Sequence, residues 1–549
     1  MIAHIADGGP LLPRDDDPKT VPEMLQSAAL RQPLAGVGVE GCGATARFTP
    51  YPQLLERAGR VLGGLHAAGV KRGDAAVLQI SRIDDLLTAL WACLLGGIRP
   101  VAATPPPYDP ADPALDRLCG AWRLLEHPVL IGDDDAVAGV RLLPRDHPMH
   151  DARTLSFASC ARSAAPPELP SVAPDDVALY LLSSGSTGRA KVIPLTHRGL
   201  VELGIAGREQ MCVAPGDVSF SWMPIDHSGG LLVYHLVPVF AGASAWYAPT
   251  EWVLADPLRW LDVVDRLRAN HTWAPTFGFR LVADALAATN AREARGFDLR
   301  CLKGLLCAGE QILESAMSDF LRAAEPFGVA PGMILPAWGM TETCSGVAFG
   351  WYDEPDAIQQ VDGRRFVSVG RPSPGAKMRV VDQEGRTLPQ ARVGRLQLRS
   401  ARVTPGYVGG GEADAAAFGD DGWFDTGDLA QLRGNRLTIV GRAKDLIVLN
   451  GGNYSCHEIE EAAGSAPGVR ADRVAAVGVP DEARGSELLA VVFVPDASET
   501  SDDPTPAIQA ALAERLGLTA AITTAVDDAD FPRTDSGKVQ RAQLRERLR

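Results

Sequence analysis

Little in this sequence points to a membrane, a secretory route or a redox centre. No apolar run reaches about 18 residues before a charge or a helix breaker interrupts it, so no membrane-spanning helix is expected. The stretch from Met1 to Thr20 is acidic and contains prolines. It lacks the basic start and apolar core of a signal peptide. Nine cysteines are scattered without a CxxC pair; Cys301 and Cys307 lie close together, but no further ligand types cluster around them. That pattern excludes a regular disulfide or zinc framework and implies reduced, mostly structural thiols in a cytoplasmic protein. Basic residues are also in deficit: 53 Lys and Arg stand against 68 Asp and Glu, a net charge of −15. Nucleic acid or an anionic membrane is therefore not expected as the main partner. No internal repeat or low-complexity tract is present.

What is there suits a large soluble enzyme. With 549 residues, 46% hydrophobic and 22% charged, two or more domains are expected. Periodicity predicts helices at Val21–Arg31, at Gln53–Gly69 with a cap near Thr49, at Asp84–Leu95, at Pro257–Asn270 and at Glu314–Glu325. Buried strands are expected at Ala75–Ile80, Pro100–Ala103, Val177–Leu182, Val218–Pro224, His271–Ala274 and Leu302–Leu306. Strands alternating with helices argue for parallel, helix-covered sheets, an α/β class. Residues 160–176, rich in Ala, Pro and Ser, read as a linker. From about 360 to 443, short alternating runs separated by turns predict a β-rich subdomain. From 444 to 549 a small α+β unit is expected, with a helix at His457–Ala463 and strands around Val474–Val479 and Leu488–Val494. The proposed boundary divides a core of residues 1–443 from a C-terminal domain of residues 444–549.

Several short segments carry chemistry. Ser183-Ser184-Gly185-Ser186-Thr187-Gly188-Arg189-Ala190-Lys191 follows a buried strand and combines hydroxyls, glycines and cations. Glycines let backbone N–H groups approach a ligand, and the cations offset charge, which suits a polyphosphate. The spacing is not that of a Walker P-loop, and a Ser/Gly-rich surface loop is the alternative. Trp338-Gly339-Met340-Thr341-Glu342-Thr343 places an aromatic, a hydroxyl and a carboxylate together. A carboxylate beside a phosphate site can hold Mg²⁺. Gly422-Trp423-Phe424-Asp425-Thr426-Gly427-Asp428 offers acids able to accept both ribose hydroxyls, or an acidic surface turn. Gly441-Arg442-Ala443-Lys444-Asp445 follows a strand, and Pro532-Arg533-Thr534-Asp535-Ser536-Gly537-Lys538 lies near the C-terminus.

In sequence and order these five segments resemble the core motifs of the adenylate-forming superfamily: acyl-CoA synthetases, nonribosomal peptide synthetase adenylation domains and luciferases. The resemblance spans roughly residues 45 to 549. The nearest likeness is to fatty acyl-AMP ligases and the loading ligases of polyketide and peptide assembly lines. It rests on Trp222-Met223-Pro224-Ile225-Asp226-His227-Ser228-Gly229-Gly230, on Asn450-Gly451-Gly452-Asn453-Tyr454 and on Phe366-Val367-Ser368-Val369-Gly370-Arg371-Pro372. About twenty residues separate Gly346 from Phe366, so the insertion found in those ligases is short here.

The resemblance implies activation of a carboxylic acid by ATP and Mg²⁺ as an acyl-AMP, followed by transfer to a thiol. The thiol would belong to the phosphopantetheine of a separate carrier protein, or to CoA. The chain ends at Arg549 without a phosphopantetheine attachment motif, so a carrier is expected as another polypeptide. By motif match, Ser183, Ser184, Gly185, Ser186, Thr187, Gly188 and Lys191 would hold the β- and γ-phosphates. Thr341 would contact the α-phosphate, Glu342 would hold Mg²⁺, and Asp428 with Arg442 would bind the ribose. Gly309, Glu310, Trp338, Gly339 and Met340 would bracket the adenine and acyl pocket. Lys538 would reach the reacting groups, and Lys444 would serve as the hinge of a mobile C-terminal domain. Asp226, His227, Gly230, Phe277, Trp338 and Cys344 are the candidate acyl-pocket lining. Asp226 either reads an amine or hydroxyl on the substrate or caps the following helix. A small or medium acid with an amino, hydroxy or aryl substituent is expected. Rival readings are a CoA ligase and a non-catalytic scaffold of the same fold.

Overall fold

A computed structural model describes residues 3–41, 46–166, 168–184, 190–288, 296–361, 363–449, 452–481, 486–496, 503–534 and 539–548. Two mixed sheets dominate. The larger has nine strands in the order Arg371–Pro372, Ser345–Phe349, Ile334–Met340, Gly304–Cys307, His271–Ala274, Val218–Ser221, Ser244–Tyr247, Gly36–Val39 and Arg47–Pro50. Its inner pairings are parallel, and it turns antiparallel at both edges. The second has six strands, Thr154–Ser156, Val129–Gly132, Ala75–Gln79, Arg99–Ala102, Val177–Ser184 and Ala190–Thr196, parallel except for the last pair.

The helix Ile83–Leu95 explains how the two sheets share one core. From Leu86 to Leu95 every side chain is buried. A helix apolar all round belongs between layers. It packs on the helix Tyr51–Ala67. Its buried Trp91 donates through Nε1 to Nε2 of His235 at 2.8 Å, and Nδ1 of that ring lies 2.8 Å from the Tyr247 hydroxyl. Burial pushes His235 down to about 3, so the ring is neutral.

A five-stranded antiparallel sheet, Ile5–Asp7, Lys377–Val381, Val393–Arg399, Phe424–Arg433 and Arg436–Arg442, forms the expected β-rich part. Its first strand comes from the acidic N-terminus, for which no strand was expected. The C-terminal part has its own apolar clusters, on the two faces of the strands Val469–Asp481 and Ser486–Pro495. The helices Cys456–Gly464 and Thr505–Leu516 cover one face, and the helix Arg541–Arg547 sits on the other. The α/β class with a β-rich part and a small C-terminal α+β unit is thus observed.

Local details differ from expectation. The helix Tyr51–Ala67 starts after Pro50 without a side-chain cap, and Thr49 pairs with Val37 in the sheet instead of capping. Proline near the first position supplies the start by fixing φ. The expected helix over Pro257–Asn270 is shorter, Arg259–Leu267, because Arg268 turns left-handed at φ 51°. The apolar segment after Asp226 is wound as a π-helix, Gly229–Leu236, before the helix Val237–Ala241. The expected linker is partly packed: a Cβ on Gly63 or Gly64 would collide with Ala164 or Cys160.

Candidate active site

The carboxyl ends of the parallel strands open into one cleft of about 1150 Å³, walled by both large sheets, the five-stranded sheet and the C-terminal part. Loops leaving strand carboxyl ends diverge there, which makes that edge the natural ligand crevice of an open α/β sheet.

The wall from the strand Ile334–Met340 carries Trp338, Gly339 and Met340. The Trp338 indole Nε1 donates to Asp428 Oδ2 at 2.9 Å, and Arg442 Nε pairs with Asp428 Oδ1 at 2.9 Å. Asp428 and Arg442 are register partners on adjacent antiparallel strands, so the sheet sets their spacing. The Asp428 side chain is 4% exposed, and that of Arg442 is 44% exposed. A buried carboxylate held between an indole and a guanidinium is oriented before any ligand arrives.

Beyond Trp338 the chain makes a tight turn, Thr341–Thr343, and both Thr341 and Glu342 line the cleft. Glu342 Oε1 accepts from the Tyr407 hydroxyl at 3.0 Å, and Lys191 Nζ sits 4.1 Å from the centre of the Tyr407 ring. Burial, together with Glu342, raises the Tyr407 hydroxyl and keeps it a donor. Thr404 N–H donates to the Glu342 carbonyl at 2.7 Å, and its hydroxyl donates to Pro194 O at 2.7 Å. The segment from Thr404 to Tyr407 therefore ties the hairpin that bears Lys191 to the turn that bears Glu342.

The opposite wall is more apolar. His227 stacks on Trp273 at 6.2 Å, and Trp273 stacks on Tyr234 at 5.7 Å. Glu310, after Gly309 at φ 93°, accepts from the Phe277 N–H at 2.8 Å. Asp226 does not cap the following helix. Its Oδ2 accepts from both the N–H and the hydroxyl of Thr104, at 2.9 and 2.7 Å, and thereby links the two large sheets across the cleft.

Of the residues singled out in the sequence, Ser183, Lys191, Asp226, His227, Phe277, Gly309, Glu310, Trp338, Gly339, Met340, Thr341, Glu342, Asp428 and Arg442 come together on this cleft. Gly230 and Cys344 do not reach its surface. A Cβ on Gly230 would meet the Pro224 carbonyl at 2.5 Å. Cys344 is 1% exposed, and a Cβ on Gly199 would meet its sulfur at 3.0 Å. Gly185, Ser186, Thr187, Gly188 and Lys538 lie outside the described residues, as do the side chains of Ser184 and Lys444. The strand Val177–Ser184 and the bridge between Arg533 and Val539 bring the flanks of the 185–189 and 535–538 segments into the described fold, and Ser183, Arg533 and Val539 line the cleft. Arg533 lies beneath the Phe531 ring, and burial lowers its guanidinium to about 10. Sequence reasoning missed Thr104, Arg402 and Tyr407. The Thr404-Pro405-Gly406-Tyr407 run, a turn signal just after an alternating strand, was the available cue.

Residues 29–408 match the AMP-binding enzyme family, and the chain belongs to that family. It is 31% identical over 494 residues to the nonribosomal peptide synthetase btyA of Aspergillus terreus, covering 87% of this chain and 52% of that protein. The chain thus spans about half the length of btyA, and likewise 48% of the aspulvinone E synthetase melA. It is 30% identical to Rv1013 of Mycobacterium tuberculosis, a protein named as a ligase, over 90% of this chain and 93% of that one. Among solved structures, the McyG A-PCP complexed with phenylalanyl-adenylate superposes with a TM-score of 0.91 at 32% identity, covering 98% of this chain and 96% of that one. A fatty acyl-adenylate ligase structure, from work on the Escherichia coli and Legionella pneumophila enzymes, gives 0.86 at 25% identity and covers 98% of each chain.

Proposed function

We propose that this protein activates a carboxylic acid with ATP as an acyl-AMP and passes the acyl group to the phosphopantetheine thiol of a carrier protein. The observation that carries this reading is the convergence on one cleft of Asp428 with Arg442, Thr341 with Glu342, and Lys191. These are a diol acceptor, a hydroxyl with a metal-binding carboxylate, and a phosphate cation. Support also comes from relatives named as nonribosomal peptide synthetases and from the phenylalanyl-adenylate and keto acyl adenylate held by structural neighbours.

In the first step an oxygen of the substrate carboxylate attacks the α-phosphorus. The acyl–O–P bond forms, the bond to the β-phosphate bridge breaks, and pyrophosphate leaves. This chemistry asks for alignment and charge neutralisation more than for a proton-transfer group. Asp428 accepts from the ribose hydroxyls, Lys191 and the Ser183–Gly188 loop hold the polyphosphate, and Thr341 donates to the α-phosphate. A single carboxylate, Glu342, fits Mg²⁺, which takes one or two protein carboxylates and completes its shell with phosphate oxygens and water. When bound, that ion offsets polyphosphate charge. Lys538 supplies a cation to the transition state. In the second step a thiol attacks the acyl carbonyl, AMP leaves, and the thiol proton passes to solvent. Rotation of residues 444–549 about Lys444, relative to residues 1–443, separates the two steps.

The acid is small or medium. Amino, hydroxy and aryl acids form the candidate panel, and the Trp273–His227 wall favours the aryl member. Substrate-dependent ATP–pyrophosphate exchange across amino, hydroxy, keto, aryl and fatty acids tests the reading, followed by acyl transfer to a pantetheinylated carrier or to CoA. Exchange with one class and transfer to the carrier supports it. Transfer to CoA alone identifies a CoA ligase. No exchange with any acid, in folded protein that binds ATP, favours a non-catalytic scaffold.

A further inference from the structure

Two residues after Glu342 the backbone does something that side chains resist. Cys344 and Ser345, both carrying a Cβ, sit consecutively at φ 51° and 69°. Left-handed pairs of this kind persist only where their surroundings over-determine them. The surroundings here include one buried cation. Arg402 is 1% exposed, and its Nη2 donates to the carbonyl oxygens of Cys344, at 3.2 Å, and of Gly346. Its Nε and Nη1 have no hydrogen-bond partner among the described residues. Its charge is faced by Glu202 and by the carbonyl dipoles of the turn. Burial lowers its guanidinium to about 10, so it stays charged at neutral pH.

The same segment grips the turn twice more, through Thr404 N–H on the Glu342 carbonyl and the Tyr407 hydroxyl on the Glu342 carboxylate. From inside, the Thr343 hydroxyl accepts from Met340 N–H at 3.1 Å and shares its proton between the carbonyls of Met340 and Ser345, at 3.0 and 2.9 Å. A neutral residue at 402 would leave the carbonyls of Cys344 and Gly346 without these donors in a closed site. The turn would then relax toward ordinary φ values, carrying Thr341 and Glu342 with it.

We infer that Arg402 is a positioning residue: by fixing the left-handed Cys344–Ser345 turn it sets where Thr341 and Glu342 stand for Mg²⁺ and the α-phosphate. The inference rests on the adenylation reading, but its first readout needs no carboxylic acid. ATP binding is measured by calorimetry while MgCl₂ is varied, for the wild type, Arg402→Gln, Arg402→Lys, and Arg402→Gln combined with Cys344→Gly and Ser345→Gly. Thermal unfolding is followed in parallel.

The expected result for Arg402→Gln is about a fivefold rise in the Mg²⁺ concentration that half-saturates ATP binding. Arg402→Lys should fall between it and the wild type. The glycine pair should restore much of the wild-type Mg²⁺ dependence, because glycine adopts positive φ without steric cost. Once an acid is known, pyrophosphate exchange should show kcat down about tenfold, with the KM for that acid unchanged. A purely structural role predicts only lower thermal stability, with the Mg²⁺ dependence intact. That result, or glycines that fail to rescue a folded Arg402→Gln, would overturn the inference. If Arg402→Gln does not fold, Arg402→Lys decides, since an unchanged Mg²⁺ dependence there is the overturning outcome. Wild-type protein that shows the Mg²⁺-dependent ATP binding but no exchange defeats the adenylation reading while leaving the role of Arg402 in the turn standing.

Discussion

The two ends of the nine-stranded sheet invite comparison, because a buried, paired carboxylate sits at each: Asp217 at one, and Asp428, borne by the neighbouring five-stranded sheet, at the other. At the amino ends, Asp217 accepts from His271 Nε2 at 3.1 Å, from Lys303 Nζ at 2.7 Å and from the Ala214 N–H at 3.0 Å. At the carboxyl ends, Asp428 lies between Trp338 and Arg442. Their side chains are similarly buried, at 8% and 4% exposed. The difference is what lies beyond them. Asp217 joins three strand starts, Val218, His271 and Gly304, and closes the bottom of the sheet, whereas Asp428 borders the cleft. Burial and pairing are thus alike at both; what differs is position relative to the diverging loops, and the ribose role proposed for Asp428 rests on that position.

The largest effect that sharpens this comparison is at the cleft. Asp428→Ala should lower kcat/KM for ATP by about 100-fold or more, about 3 kcal/mol of lost transition-state stabilisation. Asp217→Asn should leave the same ratio, per folded molecule, within about twofold. Pyrophosphate-exchange kinetics on both variants measure this, and equal losses would erase the contrast.

Next in size is acid stability. Burial alone would raise the Asp217 carboxyl, but the bonds from His271, Lys303 and Ala214 hold it down to about 2 from 3.8. A depressed carboxyl contributes stability that is fully present above its unfolded value and is lost as pH falls through its folded value. Asp217→Asn should thus be roughly 2 kcal/mol less stable than wild type at pH 7. The gap should close between pH 3.8 and about 2, as followed by denaturant melts.

A smaller effect is expected at the opposite wall. Thr104→Val removes the hydroxyl bond to Asp226 but keeps the backbone one, a change of about 1 kcal/mol. The KM for the acid should shift severalfold, with the KM for ATP unchanged and amine-bearing acids gaining relative to neutral ones. A shift in ATP affinity instead would move Asp226 out of the acyl pocket.

The smallest is at the C-terminal part. Arg364 pairs with Glu458 at 2.5 Å, and Ser315 donates to Glu461 at 3.0 Å, docking the helix Cys456–Gly464 on the core. Arg364 is 40% exposed, so its pair is worth at most about 1 kcal/mol and weakens with salt. Arg364→Ala should raise the rate of proteolytic cutting near residue 444 a few-fold at low salt and much less at high salt.

Much of this arrangement could be read along the chain. The residue pattern marks a helix at Asp84–Leu95 and three strands of the five-stranded sheet, those within Lys377–Val381, Val393–Arg399 and Arg436–Arg442, because both patterns follow from residues near one another in the chain, whereas Ile5–Asp7 and Phe424–Arg433 carry no such pattern. The motif residues Thr341, Glu342, Asp428 and Arg442 were recognised by type and order, and the structure brings them to one cleft. Lys538 and residues 185–189 lie outside the described residues. Cys344 and Gly230 match the acyl-pocket lining by motif position, yet neither reaches the cleft. Sequence adjacency does not report side-chain direction where φ is positive or a helix is π-wound.

The amino-acid sequence by itself thus determined the class of elements, their order and the chemical inventory of the cleft, since these depend on local periodicity and side-chain type. Only the tertiary structure decided the partnerships. Thr104 meets Asp226 across 122 residues, Trp338 meets Asp428 across 90, and Arg402 meets Cys344 across 58. No local pattern encodes such pairs: each depends on sheets and a returning loop closing on one another, and for Trp338 with Asp428 and Arg402 with Cys344 burial leaves the polar groups little but each other to bond.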